Sequence, residues 1–155
     1  MTKIEAPDPD FERRVRDSFG RQNFMHLLGV EMTELKAGYC EMQLAYRGEL
    51  SQQHGFFHGG IIGTLADNAA GYASYSLMPA DASVLTVEYK LNLLAPGDGE
   101  RLISRARVIK PGRTLTVTQS DVFALKNGRE RHCATALVTM ITLAETPDHE
   151  GLKGR

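Results

Sequence analysis

Apolar and polar positions divide the chain into a short helical opening, one long helix rich in small residues, and a late run of strands. Phe11, Val15 and Phe19 recur at every fourth position between Asp10 and Phe19, the spacing of a short amphipathic helix. A second apolar cluster, Phe24-Met25-His26-Leu27-Leu28, ends at Gly29 and is expected to cap one end of the core. From Val30 to Tyr46 the pattern changes to strand. Cys40, Met42, Leu44 and Tyr46 alternate with Glu41 and Gln43 beyond an Ala37-Gly38 turn, which predicts a hairpin.

The stretch from His58 to Met78 returns to helical spacing through Ile62, Leu65, Ala66, Ala69, Ala70 and Ala73, with Pro79 marking its end. Nine of the sixteen residues from Gly59 to Ser74 are Gly, Ala or Ser. Gly63 and Gly71 each cost such a helix ~1 kcal/mol against alanine, so propensity does not hold it. Small side chains let backbones approach, which suits a helix gripped by a sheet. The strands follow. Leu85, Val87, Tyr89, Leu91 and Leu93 form the cleanest period-two run, and Pro96-Gly97-Asp98-Gly99 turns it. Further strands over 102–109, 115–125 and 132–143 are separated by Pro111-Gly112 and by Lys126-Asn127-Gly128-Arg129, whose Asn-Gly is a strong hairpin signal.

Short turns between all the late strands leave no room for parallel crossovers, so the class is α+β. A helix of ~18 residues spans ~27 Å and strands of ~10–12 residues span ~33–40 Å. One strongly curved antiparallel sheet can therefore wrap a long central helix. The expected organisation is an N-terminal arm and short helix over residues 1–20, one domain over 21–145, and a polar tail over 146–155. Residues 1–10, with two prolines and four charged side chains, read as a mobile arm.

Composition narrows the function classes. At 155 residues, 42% hydrophobic and 24% charged, the chain fits one ordinary globular domain. A net charge of -1 supplies no field for nucleic acid or an anionic membrane. The opening MTKIEAPDPDFERR has no apolar signal core, and no run reaches the ~18 apolar residues of a membrane span, so a cytoplasmic protein is expected. Cys40 and Cys133 form no CxxC and read as small buried residues.

Candidate chemistry gathers around His58-Gly59-Gly60 and the helix it opens. Two glycines at a helix start leave backbone N–H groups accessible, with the positive end of the dipole behind them. Such a place can polarise a carbonyl as an oxyanion hole; the same glycines also serve a tight loop-to-helix turn. Asp67 stands mid-helix among alanines, where a carboxylate is costly unless it meets solvent or a partner. Beside a cleft it is a candidate general base or nucleophile. His54 and His58 are four apart, but the intervening Gly-Phe-Phe is poor helix and no third ligand is near, so no metal is expected. No GxSxG elbow occurs. Eight basic residues and two acidic ones lie between Arg101 and Arg131. Most suit solvated strand faces, while Lys110 and Arg113, flanking Pro111-Gly112, can reach phosphates.

In these residues the chain resembles the hotdog-fold acyl-CoA thioesterases, specifically the PaaI-like group. The matching features are His58-Gly59-Gly60, Leu65-Ala66-Asp67, Thr86-Val87-Glu88-Tyr89-Lys90, Leu94-Ala95-Pro96 and Gly112-Arg113, within a stretch running from about Phe24 to Leu143. The resemblance implies a hotdog fold and hydrolysis of an acyl-CoA thioester to free acid and CoA. It implies that Gly59 donates its N–H to the thioester carbonyl and that Asp67 is the catalytic carboxylate. His58 would hold the loop, and Gln52 would position the thioester or water. Gly60, Thr86, Val87, Glu88, Lys110, Gly112 and Arg113 fall to substrate binding, with no cofactor beyond the coenzyme A of the substrate. Some relatives carry Ser or Thr four residues after the acid; here that position is Gly71. The acyl pocket would draw on Phe56, Phe57, Tyr72 and Met78.

Eight helical residues, a rise of ~12 Å, separate Gly59 from Asp67, so one chain cannot bring both to one carbonyl. A homodimer with antiparallel helices is therefore expected, with long strands pairing edge to edge. Relatives also form dimers of dimers. Two other readings stand beside hydrolysis: a non-catalytic acyl-CoA-binding module, and a hydratase or dehydratase of the same fold.

Overall fold

The computed structural model describes residues 4–148. Within them two short helices, α1 (Phe11–Gly20) and α2 (Asn23–Leu28), lead into a hairpin of β1 (Glu31–Lys36) and β2 (Tyr39–Ala45). A single 3-10 turn at Gly48–Leu50 and a loop lead to α3 (Gly59–Tyr75). The chain closes with β3 (Ser83–Leu93), β4 (Arg101–Lys110), β5 (Leu115–Lys126) and β6 (Arg129–Leu143). The six strands form one antiparallel sheet in the order β1-β2-β4-β5-β6-β3. The helix α3 packs on five of these strands, from β2 to β3, and is the wrapped central helix of the expected hotdog fold.

The small residues of α3 have the predicted use. Leu65, Ala66, Ala69, Ala70 and Ala73 are fully buried against the sheet. The strands answer with small hydroxyl residues. Ser74 Oγ lies 2.7 Å from Thr118 Oγ1 and donates to Ala70 O, and Ser104 and Ser120 meet at 2.9 Å, all buried. Short polar side chains that satisfy one another allow close approach without orphaned groups. The helix ends at Tyr75, three residues before the predicted Met78; Leu77 and Met78 continue as turns before Pro79.

In α1, Val15 is fully buried, with Phe11 and Phe19 packed beside the core. In α2 only Met25 and Leu28 turn inward, while Phe24 and Leu27 face solvent. Asn127 and Gly128 both take positive φ, 51° and 72°, which makes the β5–β6 connection the expected tight hairpin.

Two expectations change. The stretch before α1 is anchored where described: the buried Asp8 carboxylate accepts from Arg14 Nε at 2.7 Å and from the Asp10 N–H at 2.9 Å. Arg14 also donates to Met78 O at 2.9 Å, so this ion pair ties residues 8–14 to the end of α3 and its turns. Residues 1–3 of the arm and 149–155 of the tail lie outside the described residues. The second change concerns β3. It is an edge strand bulged between Thr86 and Glu88, and Leu85, Val87, Tyr89 and Leu93 remain 47–57% exposed. Of its alternating apolar residues only Leu91 packs against the core. Among the described residues no helix is long and apolar enough to cross a membrane.

Candidate active site

The loop before α3 is built around its own hydrogen bonds. His58 N donates to Leu50 O, and Phe57 N donates to Gly97 O, each at 2.9 Å. Gln52 receives the His54 N–H on its side-chain oxygen, so its amide braces the loop. Phe57 is buried edge-on against Tyr46. His58 is the helix N-cap: its Nδ1 accepts from Gly60 N at 2.8 Å, and its carbonyl accepts from Ile61 and Ile62. These bonds consume three of the first four amides of α3. Gly59 N–H is the one left without an acceptor among the described residues. Gly60, expected in substrate binding, donates its amide to His58. Leu93 sits against Gly59, 3.1 Å from where a side chain would begin.

Asp67 lies two turns further along, on the side of α3 that faces β3. Thr86 Oγ1 donates to Asp67 Oδ1 at 2.9 Å. Burial pushes the Asp67 carboxyl above its ordinary range, and the Thr86 bond, which favours the charged form, offsets part of that rise. A carboxylate so placed is a better proton acceptor than an exposed one. Gly71 has no hydroxyl to offer one turn beyond Asp67. The sequence pattern identified that gap and placed Thr86 only in substrate binding; in the fold a strand hydroxyl reaches the acid.

A cavity of about 370 Å³ opens beside Asp67, between α3, the α1–α2 joint, β3 and β6. Of the four residues expected around an acyl group, only Tyr72 lines it. Phe57 and Met78 are buried elsewhere in the core, because the loop and the end of α3 fold inward. The polar wall of the cavity was not anticipated. Asn68 Nδ2 donates to Gln22 Oε1 at 2.7 Å, Ser18 Oγ and Tyr72 OH lie 3.2 Å apart, and Arg21 bonds Asp148 at 2.6 Å. No local motif announces these pairs, which join residues 46 or more positions apart.

The remaining expected residues sit near the same end of the sheet as Thr86. Thr86 pairs with Met140, which pairs with Thr116, so the β4–β5 turn lies two strands from Thr86. Lys110 and Arg113 flank that turn and are exposed. Gly112 approaches Leu115 O so closely that a side-chain carbon would fall 2.1 Å from it, which explains the glycine. Val87 occupies the β3 bulge, and Glu88 receives Thr139 Oγ1 at 3.4 Å. Burial pushes the Cys40 thiol up to about 12 and Cys133 to about 11, so neither is a thiolate nucleophile at neutral pH.

Comparison with known proteins identifies the family of the chain. The model of the thioesterase superfamily matches residues 54–130, from the loop before α3 into β6. A thioesterase family protein from Silicibacter pomeroyi is 48% identical, with a TM-score of 0.86 over 86% of this chain and 98% of that one. The Escherichia coli PaaI protein, from the phenylacetic acid degradation operon, superposes with a TM-score of 0.79 over 89% of this chain and 96% of that one; at 17% identity it shares the fold. Human acyl-coenzyme A thioesterase 13 is 26% identical over 110 residues, 70% of this chain and 78% of that protein.

Proposed function

The chain belongs to the thioesterase superfamily, and from that premise we propose that it hydrolyses an acyl-CoA thioester to a free acid and CoA. The observation that carries the reading is the division of labour along α3: a Gly59 N–H without an acceptor among the described residues at its start and a half-buried Asp67 beside a cavity two turns on. A thioester is already activated, so a carbonyl polariser and one carboxylate suffice. As general base, Asp67 takes a proton from water, whose oxygen attacks the carbonyl carbon. The oxyanion rests on the Gly59 N–H, and its collapse expels the CoA thiolate, which recovers the proton. As nucleophile, Asp67 forms an anhydride and releases CoA, and water then frees the acid. Single turnover in ¹⁸O-water labels Asp67 only by the second route.

The two groups belong to different protomers in this reading. They are about 12 Å apart along one continuous helix, too far to share a carbonyl. The exposed apolar edge of β3 supplies the route to a homodimer. Antiparallel pairing of two β3 strands about their middle residue, Glu88, sets Ser83 of one opposite Leu93 of the other. Leu93 covers Gly59, and Thr86 holds Asp67, so each Asp67 approaches the partner subunit's Gly59. Lys110 and Arg113 hold the CoA phosphates in the same assembly.

Thiol release from a panel of acyl-CoA thioesters tests the reaction; a protein that binds these thioesters without releasing thiol is a binding module instead. Subunit exchange tests the shared site. Gly59→Pro removes one N–H at the helix position that tolerates proline best, and Asp67→Asn removes the base. Each alone should be nearly inactive. Mixed, they should recover activity through heterodimers with one intact site; folded heterodimers that stay inactive refute the arrangement.

A further inference from the structure

We propose that Arg21 is the binding site for the carboxylate that thioester hydrolysis releases, and that Asp148 masks it until that product forms. The proposal rests on the hydrolytic reading above and adds how the product is handled.

Arg21 is the C-cap of α1, and the next residue, Gln22, accepts from Asn68 Nδ2 at 2.7 Å. Asn68 follows Asp67 on α3, so this contact brings the α1–α2 joint to the turn that carries the acid. Arg21 and Asp67 accordingly line one cavity, and Arg21 is the one cation among its lining residues. A carboxylate from the other end of the chain holds that guanidinium: Arg21 donates to Asp148 Oδ2 at 2.6 Å. Beyond the end of β6 the chain turns at Glu145, where φ is 52°, before Asp148 meets Arg21.

This pair is suited to exchange. The Arg21 and Asp148 side chains are 49% and 30% exposed, and an ion pair so open to water is held weakly. Left-handed backbone is unfavourable for a residue with a side chain like that of Glu145, so the turn that delivers Asp148 carries strain that release relieves. A second cavity of about 290 Å³ shares Arg21 and Asp148 with the first and is lined as well by Arg13. The pair stands between the two cavities, and a displaced Asp148 has both room and another cation.

Hydrolysis changes the charge of what the cavity holds. A thioester is neutral at its reacting carbon and offers Arg21 no charge partner. Water gives its oxygen to that carbon as the C–S bond breaks; one water proton ends on the CoA thiol and the other goes to solvent. The acid is therefore left as a carboxylate at neutral pH. It forms beside Asp67, whose own negative charge repels it, in a cavity that also contains Arg21. A carboxylate is the kind of ligand Arg21 already holds, so the product takes the place of Asp148 by exchange of like for like. That exchange draws the acid away from the reacting groups. The return of Asp148 expels it and restores the resting arrangement.

Butanoate, hexanoate, octanoate and benzoate, each beside its carboxamide, serve as probes in calorimetry and as inhibitors of thioester hydrolysis. Asp148→Asn unmasks Arg21, so it should bind the tightest of these acids about tenfold more tightly than wild type, and the matching amide no more tightly. Arg21→Gln should bind acids no better than amides, with or without Asp148→Asn, while Arg21→Lys keeps part of the preference. Inhibition constants should follow the same order. Acid affinity that is unchanged in Asp148→Asn, or raised equally for acid and amide, overturns the mask; an acid preference that survives Arg21→Gln overturns the site. Calorimetry needs no turnover, so the two readings fail separately. If no thioester is hydrolysed, the hydrolytic reading falls and acid binding that follows Arg21 still stands. If thioesters are hydrolysed and Asp148→Asn binds acids no better than amides, this proposal alone falls.

Discussion

Thr86 Oγ1 donates to Asp67 Oδ1 at 2.9 Å, so the edge strand of the sheet and the middle of the central helix meet at one carboxylate. This contact supplies from β3 the hydroxyl that Gly71 cannot supply from α3. It also works against burial, which alone would drive the carboxyl further upward.

Removing that hydroxyl should therefore alter the pH profile as well as the rate. Asp67 must be ionised to accept a proton or attack a carbonyl, so activity falls on the acid side as Asp67 protonates. Thr86→Val leaves burial in place and removes the opposing hydrogen bond, which moves the acid limb of kcat/KM to higher pH. A roughly tenfold lower kcat with little change in KM should accompany it, and Thr86→Ser should restore both. An acid limb that stays in place in Thr86→Val counts against the contact's role.

The same carboxylate should cost stability. A carboxyl whose pKa is higher folded than unfolded binds its proton more tightly in the native state. That contribution is full below the ordinary value of 3.8 and is lost as pH rises through the raised one. Asp67→Asn cannot ionise and escapes the loss. Its Tm should exceed wild type by roughly 2–4 °C at pH 7 and converge with it near pH 3.5, as followed by calorimetry.

The apolar edge of β3 should be an assembly surface. Val87 is 54% exposed in the bulge, and lysine there places a charge in the expected strand pairing. Val87→Lys should sediment as a monomer, with an intact circular dichroism spectrum and greatly reduced thioesterase activity. A variant that remains dimeric would place the interface elsewhere.

Lys110 and Arg113 should act on binding and not on chemistry. The tight turn at Gly112 holds both near the end of the sheet that carries Thr86. Lys110→Glu/Arg113→Glu should raise KM about tenfold or more while lowering kcat much less. Wild-type KM should rise with ionic strength, and the variant's should rise far less.

Much of the architecture was legible in local pattern because local physics decides it. Small residues at helical spacing predicted a helix held closely by a sheet, and Asn127-Gly128 predicted a turn that needs two positive φ angles. His58-Gly59-Gly60 and Asp67 stood out in the sequence as candidates for a carbonyl polariser and a catalytic carboxylate. Which amide is free was not visible, because that depends on the His58 side chain turning back to Gly60. The anchoring of residues 8–10 was hidden for a similar reason: Asp8 looks solvated until Arg14 and the end of α3 close around it.

The sequence by itself determined the elements, their order, the family and the residue types available for chemistry. It did so because turns, periodicity and motif spacing act over a few residues. Tertiary structure alone decided that Thr86 reaches Asp67, that Gln22 meets Asn68 and that β3 lies at the edge with its apolar residues uncovered. A period of two assigns a side chain to a face of a strand. It does not say which helix residue lies across that face, and only the packing of α3 into the curved sheet sets that distance.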